Sequence, residues 1–132
     1  KQQRAPEAPS AVAAAGMPDP DEEPRNATVY RSVNRKTGEV EYVGATRNFP
    51  LRRYYWARIR GYDVQRLNRL GDLTWSEARG VEQVLIEHHG LGRFGGTLAN
   101  RIFSIGIRNP RYAELLRVGR DLLRSINYPG IE

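Results

Sequence analysis

The chain has 132 residues, a formal net charge of +6 and a sequence pI near 10.1, which suits one soluble domain with a single modest core. The absence of cysteine excludes disulfides, thiolate metal sites and a cysteine nucleophile. No apolar run approaches the roughly 20 residues that a membrane span needs, so we expect no membrane association. The start lacks a signal-peptide core and an initiator methionine, and we expect the chain to be a piece of a longer protein.

Residues 1–26 predict a Pro/Ala-rich, acidic linker or the tail of an upstream domain, because five prolines interrupt any helix or strand there. This stretch has three basic and five acidic residues, which leaves a net charge of +8 on residues 27–132, most of it from arginine. A surface of this kind favours a polyanionic partner such as nucleic acid. A basic surface without a partner is the alternative.

A β-hairpin opens the predicted domain at residue 27. The segment ATVYRSV alternates and is β-prone, VEYVGA is its return strand, and Gly38 supplies the positive φ that a short turn needs. Tyr30 and Tyr42 share one face of this hairpin if the turn holds an odd number of residues. Gly44 permits the close approach of a backbone or a ligand.

The next segment, NFPLRRYYWARIRG, predicts a helix with Asn48 as its N-cap and Gly61 at its end. Its apolar stripe consists of Leu51, Tyr54, Tyr55 and Ile59. Arg52 and Arg53 lie near the start of this helix, where the dipole and free N–H groups already favour a phosphate. The segment DVQRLNRL follows as an ambiguous third strand.

Two further helices complete a predicted α+β fold. Thr74 and Glu77 form a capping box before a helix that ends at Gly90. After a glycine-rich loop, Asn109 and Pro110 begin a closing helix. The order β-β-α-β-α-α predicts a small three-stranded antiparallel sheet flanked by helices.

Glu82 does not fit the polarity of its surroundings. At 100° per residue it lies in the middle of the apolar face of its helix, with Trp75, Leu85 and Ile86 within about 60° of it. A buried carboxylate needs a cation as partner. Since that cation is either a metal ion or an arginine, the helical wheel leaves open a catalytic and a purely structural role.

These features follow one another in a recognisable order along residues 27–103. The order is VY at 29–30, YVG at 42–44, Asn48, Arg52, VEQVLI at 81–86 and Asn100. It resembles the GIY-YIG endonuclease superfamily, and YVGATRNFPLRR is similar to the YIG-x-T-x-N-x-x-x-R stretch of that family. The chain departs from the family at Thr28, Ala45 and Trp56, where the family has its first glycine, a frequent lysine and, nearby, a frequent His or Tyr. The stretch from 73 to 105 also resembles nuclease domains at the C-termini of Rhs-type and contact-dependent polymorphic toxins.

The resemblance implies a metal-dependent endonuclease and a role for individual residues. Glu82 is then the ligand of one divalent ion, Mg²⁺ or another such as Mn²⁺, and Arg52 holds the scissile phosphate. Tyr30 activates the attacking water with Tyr42 nearby, and Asn100 orients the site. The substrate-binding residues implied by the resemblance are Gly44, Thr46, Asn48, Arg53 and Arg101.

We expect DNA as the substrate. The alternatives are a tRNA-type RNase, a non-catalytic nucleic-acid-binding module, and a structural domain in which Glu82 pairs with Arg52. As a toxin used between bacteria, the protein would be secreted or delivered by its producer, as a monomer when free, and would act in the cytoplasm of the target cell. The producer would need an immunity protein, which we expect to be acidic and to cover the basic cleft.

Overall fold

A computed structural model describes residues 23–92, 95–100 and 103–132, so most of the predicted linker lies outside the described residues. The elements in chain order are β1 (Arg25–Val33), β2 (Val40–Thr46), α1 (Phe49–Arg60), β3 (Asp63–Arg66), β4 (Leu73–Thr74), α2 (Trp75–His89) and α3 (Tyr112–Ser125). The predicted α+β class is confirmed, with a small antiparallel sheet and three helices in the described part of the chain.

The sheet is built around β1 as its central strand. β2 and β3 pair antiparallel with β1 on either side, and β4 pairs with the N-terminal end of β1. The sequence predicts only three strands, because the two residues of β4 are too few to show a period. β1 begins at Arg25, before the predicted domain start at 27, and the Glu23 carboxylate already accepts hydrogen bonds from the backbone N–H and hydroxyl of Ser76.

The hairpin between β1 and β2 has the geometry that the sequence predicts. Gly38 in its turn has a φ of +77°, which L-amino acids with side chains rarely adopt. In the resulting register Tyr30 lies opposite Gly44 and Ser32 lies opposite Tyr42. Since side chains alternate along a strand, Tyr30 and Tyr42 share one face, as predicted.

The two faces of the sheet are covered by different elements. On one face α2 and α3 enclose the main core, in which Val29, Val43, Leu85 and Leu115 are fully buried. On the opposite face α1 covers a small aromatic cluster. The buried members are Tyr30, Tyr62 and Val64, and the partly buried members are Tyr42, Phe49 and Trp56.

The predicted apolar stripe of α1 does not face the core. Its four members, Leu51, Tyr54, Tyr55 and Ile59, are between 47% and 61% exposed. The helix itself is as predicted: the side chain of Asn48 accepts from the N–H of Leu51 at 3.2 Å, and Gly61 ends it with a φ of +66°. Phe49 and Trp56 contact the sheet instead, because residues seven apart lie on one side of a helix.

α3 begins later than the sequence predicts. Asn109 and Pro110 form a turn before the helix, in which the Asn109 side chain accepts from the N–H of Arg111 at 2.8 Å and its carbonyl accepts from Tyr112 at 2.9 Å. The capping box of Thr74 and Glu77 on α2 is confirmed. Among the described residues, no helix is both long and apolar enough to cross a membrane.

α2 and α3 pack so closely that their backbones touch at two glycines. A Cβ at Gly80 would overlap the carbonyl oxygen of Leu115, and one at Gly119 would overlap the carbonyl group of Gly80. Because the overlapping atoms belong to the backbone, a side chain at either position forces the helices apart.

We expect Gly80→Ala to lower the free energy of unfolding by about 1–3 kcal/mol, since overpacking outweighs the better helix propensity of alanine. Gly71→Ala is the control, because a Cβ there meets nothing within 4 Å. Denaturant unfolding of both variants checks this. Equal stabilities would contradict the close packing of α2 on α3.

Candidate active site

The ring of Tyr30 lies against the backbone of Gly44. Tyr30 is only 2% exposed, and a Cβ at Gly44 would lie 2.5 Å from both the ζ carbon and the hydroxyl oxygen of Tyr30. Gly44 does permit a close approach, but the group that approaches it is a side chain of the same hairpin, where the sequence suggests a backbone or a ligand.

Trp56 joins the tyrosine pair to α1. Its indole N–H donates to the Tyr30 hydroxyl at 3.0 Å, and its ring centre is 4.5 Å from that of Tyr42. The rings of Tyr30 and Tyr42 are stacked with their centres 6.3 Å apart. Sequence reasoning identified Trp56 only as a departure from a family pattern, because its partner lies 26 residues away in the chain.

The pKa of the Tyr30 hydroxyl reflects this enclosed position. Burial raises the pKa of Tyr30 well above its usual range, and Tyr42 adds to the rise. The hydrogen bond from Trp56 and the positive charge of Arg52 act in the opposite direction, whereas the negative charge of Glu82 raises the pKa further. Tyr30 therefore keeps its proton at neutral pH, and Arg52 and Glu82 both lie close enough to influence it.

Glu82 is buried in α2, as the helical wheel predicts, with 3% of its surface exposed. Its Oε1 accepts from the Ser104 hydroxyl at 2.8 Å, and the Nε of Arg79 donates to that hydroxyl oxygen at 3.3 Å. Gln83 holds Ser104 in place, since its Oε1 accepts from the backbone N–H groups of Ser104 and Ile105 at 2.7 and 3.0 Å. Sequence reasoning missed Ser104 and Gln83, because no periodic pattern links a loop serine to a helix.

A divalent ion at Glu82 would be bound there without a larger cluster of acidic or histidine side chains from the described residues. In the described part of the chain, no group of three or more His, Asp or Glu side chains is placed to hold a metal ion. Mg²⁺ is nevertheless bound in many proteins by one or two carboxylates, with water and phosphate oxygens completing its shell. The hard oxygen donors of Glu82 fit that mode of binding.

Asn100 is attached to the outer edge of β2. Its side-chain oxygen accepts from the N–H of Val43 at 3.0 Å, and its side-chain nitrogen donates to the carbonyl of Val43 at 2.9 Å. The backbone N–H of Ala99 donates to the Glu41 carbonyl at 2.6 Å. These bonds attach the two residues that flank Tyr42 in the chain, so the segment containing Asn100 determines where this part of β2 lies.

The remaining predicted substrate-binding residues cluster at the start of α1, with one exception. The Thr46 hydroxyl accepts from the backbone N–H of Asn48 at 2.9 Å, and Asn48 caps the helix. Arg53 is exposed and, with Phe49, lines a surface cavity. Arg101 lies outside the described residues.

No family model matches this chain, and neither a curated protein nor a solved structure is similar enough to be matched with it.

We expect Asn100→Asp to lower the free energy of unfolding by about 1–3 kcal/mol, because aspartate presents an acceptor to the Val43 carbonyl where asparagine donates. Asn109→Asp is the matched control, since Asn109 only accepts through its side chain. Thermal unfolding compares the two variants, and hydrogen exchange at Val43 reports on the edge of β2. Unchanged protection at Val43 in Asn100→Asp would show that the contact does not hold the strand.

Proposed function

We propose that this protein is a metal-dependent endonuclease of the GIY-YIG type that hydrolyses phosphodiester bonds, with DNA as the preferred substrate. One observation carries the proposal: Tyr42, Arg52 and Glu82, which come from three other elements, all lie close enough to the Tyr30 hydroxyl to shift its pKa, and the ring of Tyr42 stacks on that of Tyr30. The net charge of +6 supports a polyanionic substrate.

Arg52 is the residue that binds the scissile phosphate. It projects from the first turn of α1, which carries no acidic residue, and its charge reaches the Tyr30 hydroxyl. A guanidinium presents parallel N–H donors that match two phosphate oxygens. It therefore orients the phosphate next to Tyr30 and stabilises the charge that develops during attack.

Glu82 is the residue that holds the divalent ion, which when bound supplies electrostatic stabilisation of the phosphate and the leaving oxygen. The Ser104 hydroxyl occupies one side of Oε1 and fixes the carboxylate in one orientation. The Glu82 carboxylate then needs no reorientation when the metal ion binds. Neighbouring residues commonly orient metal-binding side chains in this way.

Tyr30 positions the attacking water and takes its proton. The Trp56 N–H occupies one acceptor position of the phenol oxygen, which leaves its proton and a second acceptor position for water. When Tyr30 is a phenolate, the water oxygen bonds to phosphorus, the bond to the leaving oxygen breaks, and the proton of water passes to Tyr30. Because burial keeps the pKa of Tyr30 high, the active fraction is small at neutral pH.

RNA is the second candidate substrate, and one feature of α1 favours it. Tyr54 and Tyr55 are exposed, and the guanidinium of Arg58 lies 5.5 Å from the ring centre of Tyr54. Exposed aromatic rings beside arginines are the surfaces on which unpaired bases stack. Such bases occur mainly in single-stranded nucleic acid and RNA loops.

A role as a toxin used between bacteria is part of this proposal. The protein would be secreted or delivered by its producer and would act, as a monomer, in the cytoplasm of the target cell. An acidic immunity protein in the producer would then bind the basic surface around Arg52 and block access to Glu82, since complementary charges speed association.

The decisive experiment incubates the protein with plasmid DNA and, separately, with total RNA, in the presence of Mg²⁺ or of EDTA. Cleavage that requires Mg²⁺ supports an enzyme, and the two substrates distinguish DNase from RNase. Binding without cleavage in every condition would instead establish a non-catalytic nucleic-acid-binding module.

Glu82→Gln should reduce cleavage about 10²-fold or more, because the loss of the carboxylate charge removes several kcal/mol of metal-assisted stabilisation. The amide oxygen still accepts from Ser104, so the fold and its stability should be kept or improved. Glu39→Gln, which removes an exposed charge in the hairpin turn, is the control. Full activity of Glu82→Gln at saturating Mg²⁺ would rule out the metal assignment.

Arg52→Lys should reduce kcat about 10²-fold, since an ammonium is a point charge without the two-pronged donor geometry. Arg53→Lys, at the neighbouring exposed position, should have almost no effect. The kcat values of both variants are measured on the same substrate. If Arg53→Lys is the inactive variant, the phosphate lies one residue further along α1.

Tyr30→Phe should reduce kcat about 10²- to 10⁴-fold, the usual contribution of a general base. Substrate binding should be kept, because phosphate contacts supply most of the affinity. The effect of Tyr42→Phe should be similar or smaller. Tyr62→Phe is the control, because Tyr62 belongs to the same aromatic cluster but donates to Glu41.

The pH profile separates a base from a merely structural hydroxyl. With the pKa of Tyr30 raised, the phenolate fraction and the rate should increase about tenfold per pH unit through neutral pH. Tyr30→Phe should lose this dependence. Wild-type turnover from a folded Tyr30→Phe protein would show that the tyrosine ring only contributes packing.

A further inference from the structure

A second basic pocket lies where β3 forms the open edge of the sheet. It has a volume of about 370 Å³ and is lined by three arginines, Arg31, Arg66 and Arg69, together with Asn127 and Tyr128. No acidic residue lines it in the described part of the chain. We call it the Arg31 pocket.

The guanidinium of Arg31 is held in place by neutral groups. Its Nε donates to the side-chain oxygen of Gln65 at 2.9 Å, and its Nη1 donates to the Tyr128 hydroxyl at 3.1 Å. Within the described ranges, no carboxylate lies at ion-pairing distance from Arg31. A guanidinium has five N–H donors, and two of those of Arg31 are used in these bonds, so three are available to a ligand. Arg31 is half-buried, and no carboxylate among the described residues neutralises its charge.

Tyr128 and His89 make the base of the pocket rigid. Tyr128 is buried, and its hydroxyl accepts from Arg31 and lies 2.8 Å from the Nε2 of His89. Burial, followed by the charges of His88 and Arg31, lowers the pKa of His89 to about 4. His89 is therefore neutral at physiological pH, and its hydrogen bond with Tyr128 holds the hydroxyl to which Arg31 donates, so these contacts present Arg31 in one orientation.

The rim of the pocket has an unusual backbone. Arg69 and Asn127 have φ values of +71° and +57°, and only one other described residue that is not glycine, Asp72, has a positive φ. Asparagine tolerates this conformation better than arginine does. Arg69 nevertheless occupies this position and lines the pocket.

Residues of β3 that line the Arg31 pocket also line a cavity that extends to α1. A neighbouring cavity of about 480 Å³ shares Gln65, Arg66 and Asn68 with it and extends to Phe49 and Arg53. The ring of Phe49 is 6.2 Å from that of Tyr30. The one carboxylate lining this cavity, Asp63, accepts from Gln65 at 2.9 Å, so Gln65 separates it from Arg31.

We propose that the Arg31 pocket binds a backbone phosphate of the nucleic acid at a distance from the scissile bond. The inference rests on the proposed nuclease function and adds a second site at which the protein holds its nucleic-acid substrate. Arginine is suited to phosphate because its donors match two oxygens, and contacts of this kind position the substrate without taking part in chemistry. The two cavities, which share Arg66 and are also lined by Arg53 on one side and by Arg69 and Arg31 on the other, favour a long polyanion over a single acidic side chain of a protein.

The test compares Arg69→Asn with Arg117→Asn in a Glu82→Gln background, which removes cleavage. Asparagine suits the left-handed backbone of residue 69, and Arg117 is an exposed residue on α3 whose replacement removes the same charge. Binding of short fluorescein-labelled DNA and RNA oligonucleotides is measured by anisotropy over a series of salt concentrations. Arg69→Asn should weaken binding several-fold and reduce the salt slope by about one, as for the loss of one phosphate contact.

Arg31→Gln should have the same effect on binding. Because Arg31 is partly buried, thermal melting shows whether the variant protein folds.

In the cleavage-competent protein, Arg69→Asn should raise KM more than it changes kcat, because a remote phosphate contact is made equally in ground and transition states. If the wild type cleaves and Arg69→Asn binds like Arg117→Asn, the second phosphate site is wrong and the nuclease stands. If the wild type binds neither DNA nor RNA, both proposals are wrong.

A polyglutamate peptide serves as the competing probe. Loss of peptide binding in Arg69→Asn, with oligonucleotide binding unchanged, would assign the pocket to an acidic protein and overturn the phosphate assignment.

Discussion

The contact between the Tyr30 ring and the Gly44 backbone is the constraint on which this side of the protein depends. The ring occupies the space of a Cβ at position 44, and its hydroxyl then meets the indole N–H of Trp56. α1 buries none of its residues completely, so contacts of Phe49 and Trp56 with this ring and its neighbours hold the helix on the sheet. The position of Arg52 follows from them.

On the opposite side of the sheet, Glu82 is held by different contacts. α2 and α3 approach closely at Gly80 and Gly119, and the apolar residues of the main core pack this helix pair against the sheet. Gln83 fastens the segment containing Ser104 to α2, and Ser104 orients Glu82. Packed elements therefore hold both Glu82 and the tyrosine pair in place, which is what a preorganised site requires.

Features that depend on neighbouring residues in the chain were predictable from sequence. The capping box at Thr74, the cap at Asn48 and the positive φ values of Gly38 and Gly61 are all found, because each involves hydrogen bonds or backbone strain within a few residues. The buried position of Glu82 also followed from a local period. The start of α3 was misplaced, since Asn109 and Pro110 suit a turn as well as a helix start.

Most of the order of the elements and the apolar surroundings of Glu82 follow from the sequence, because periodicity and turn chemistry act over short stretches. The shared face of Tyr30 and Tyr42 depends in addition on the register shift between Ser32 and Val33, which strand pairing sets. The buried side of α1 is likewise a property of the folded chain, in which Phe49 and Trp56 pack on the sheet and the apolar stripe does not. The same holds for the attachment of Asn100 to β2 and for the Arg31 pocket. These features join residues far apart in the chain, and their energies depend on packing and charge that no single segment contains.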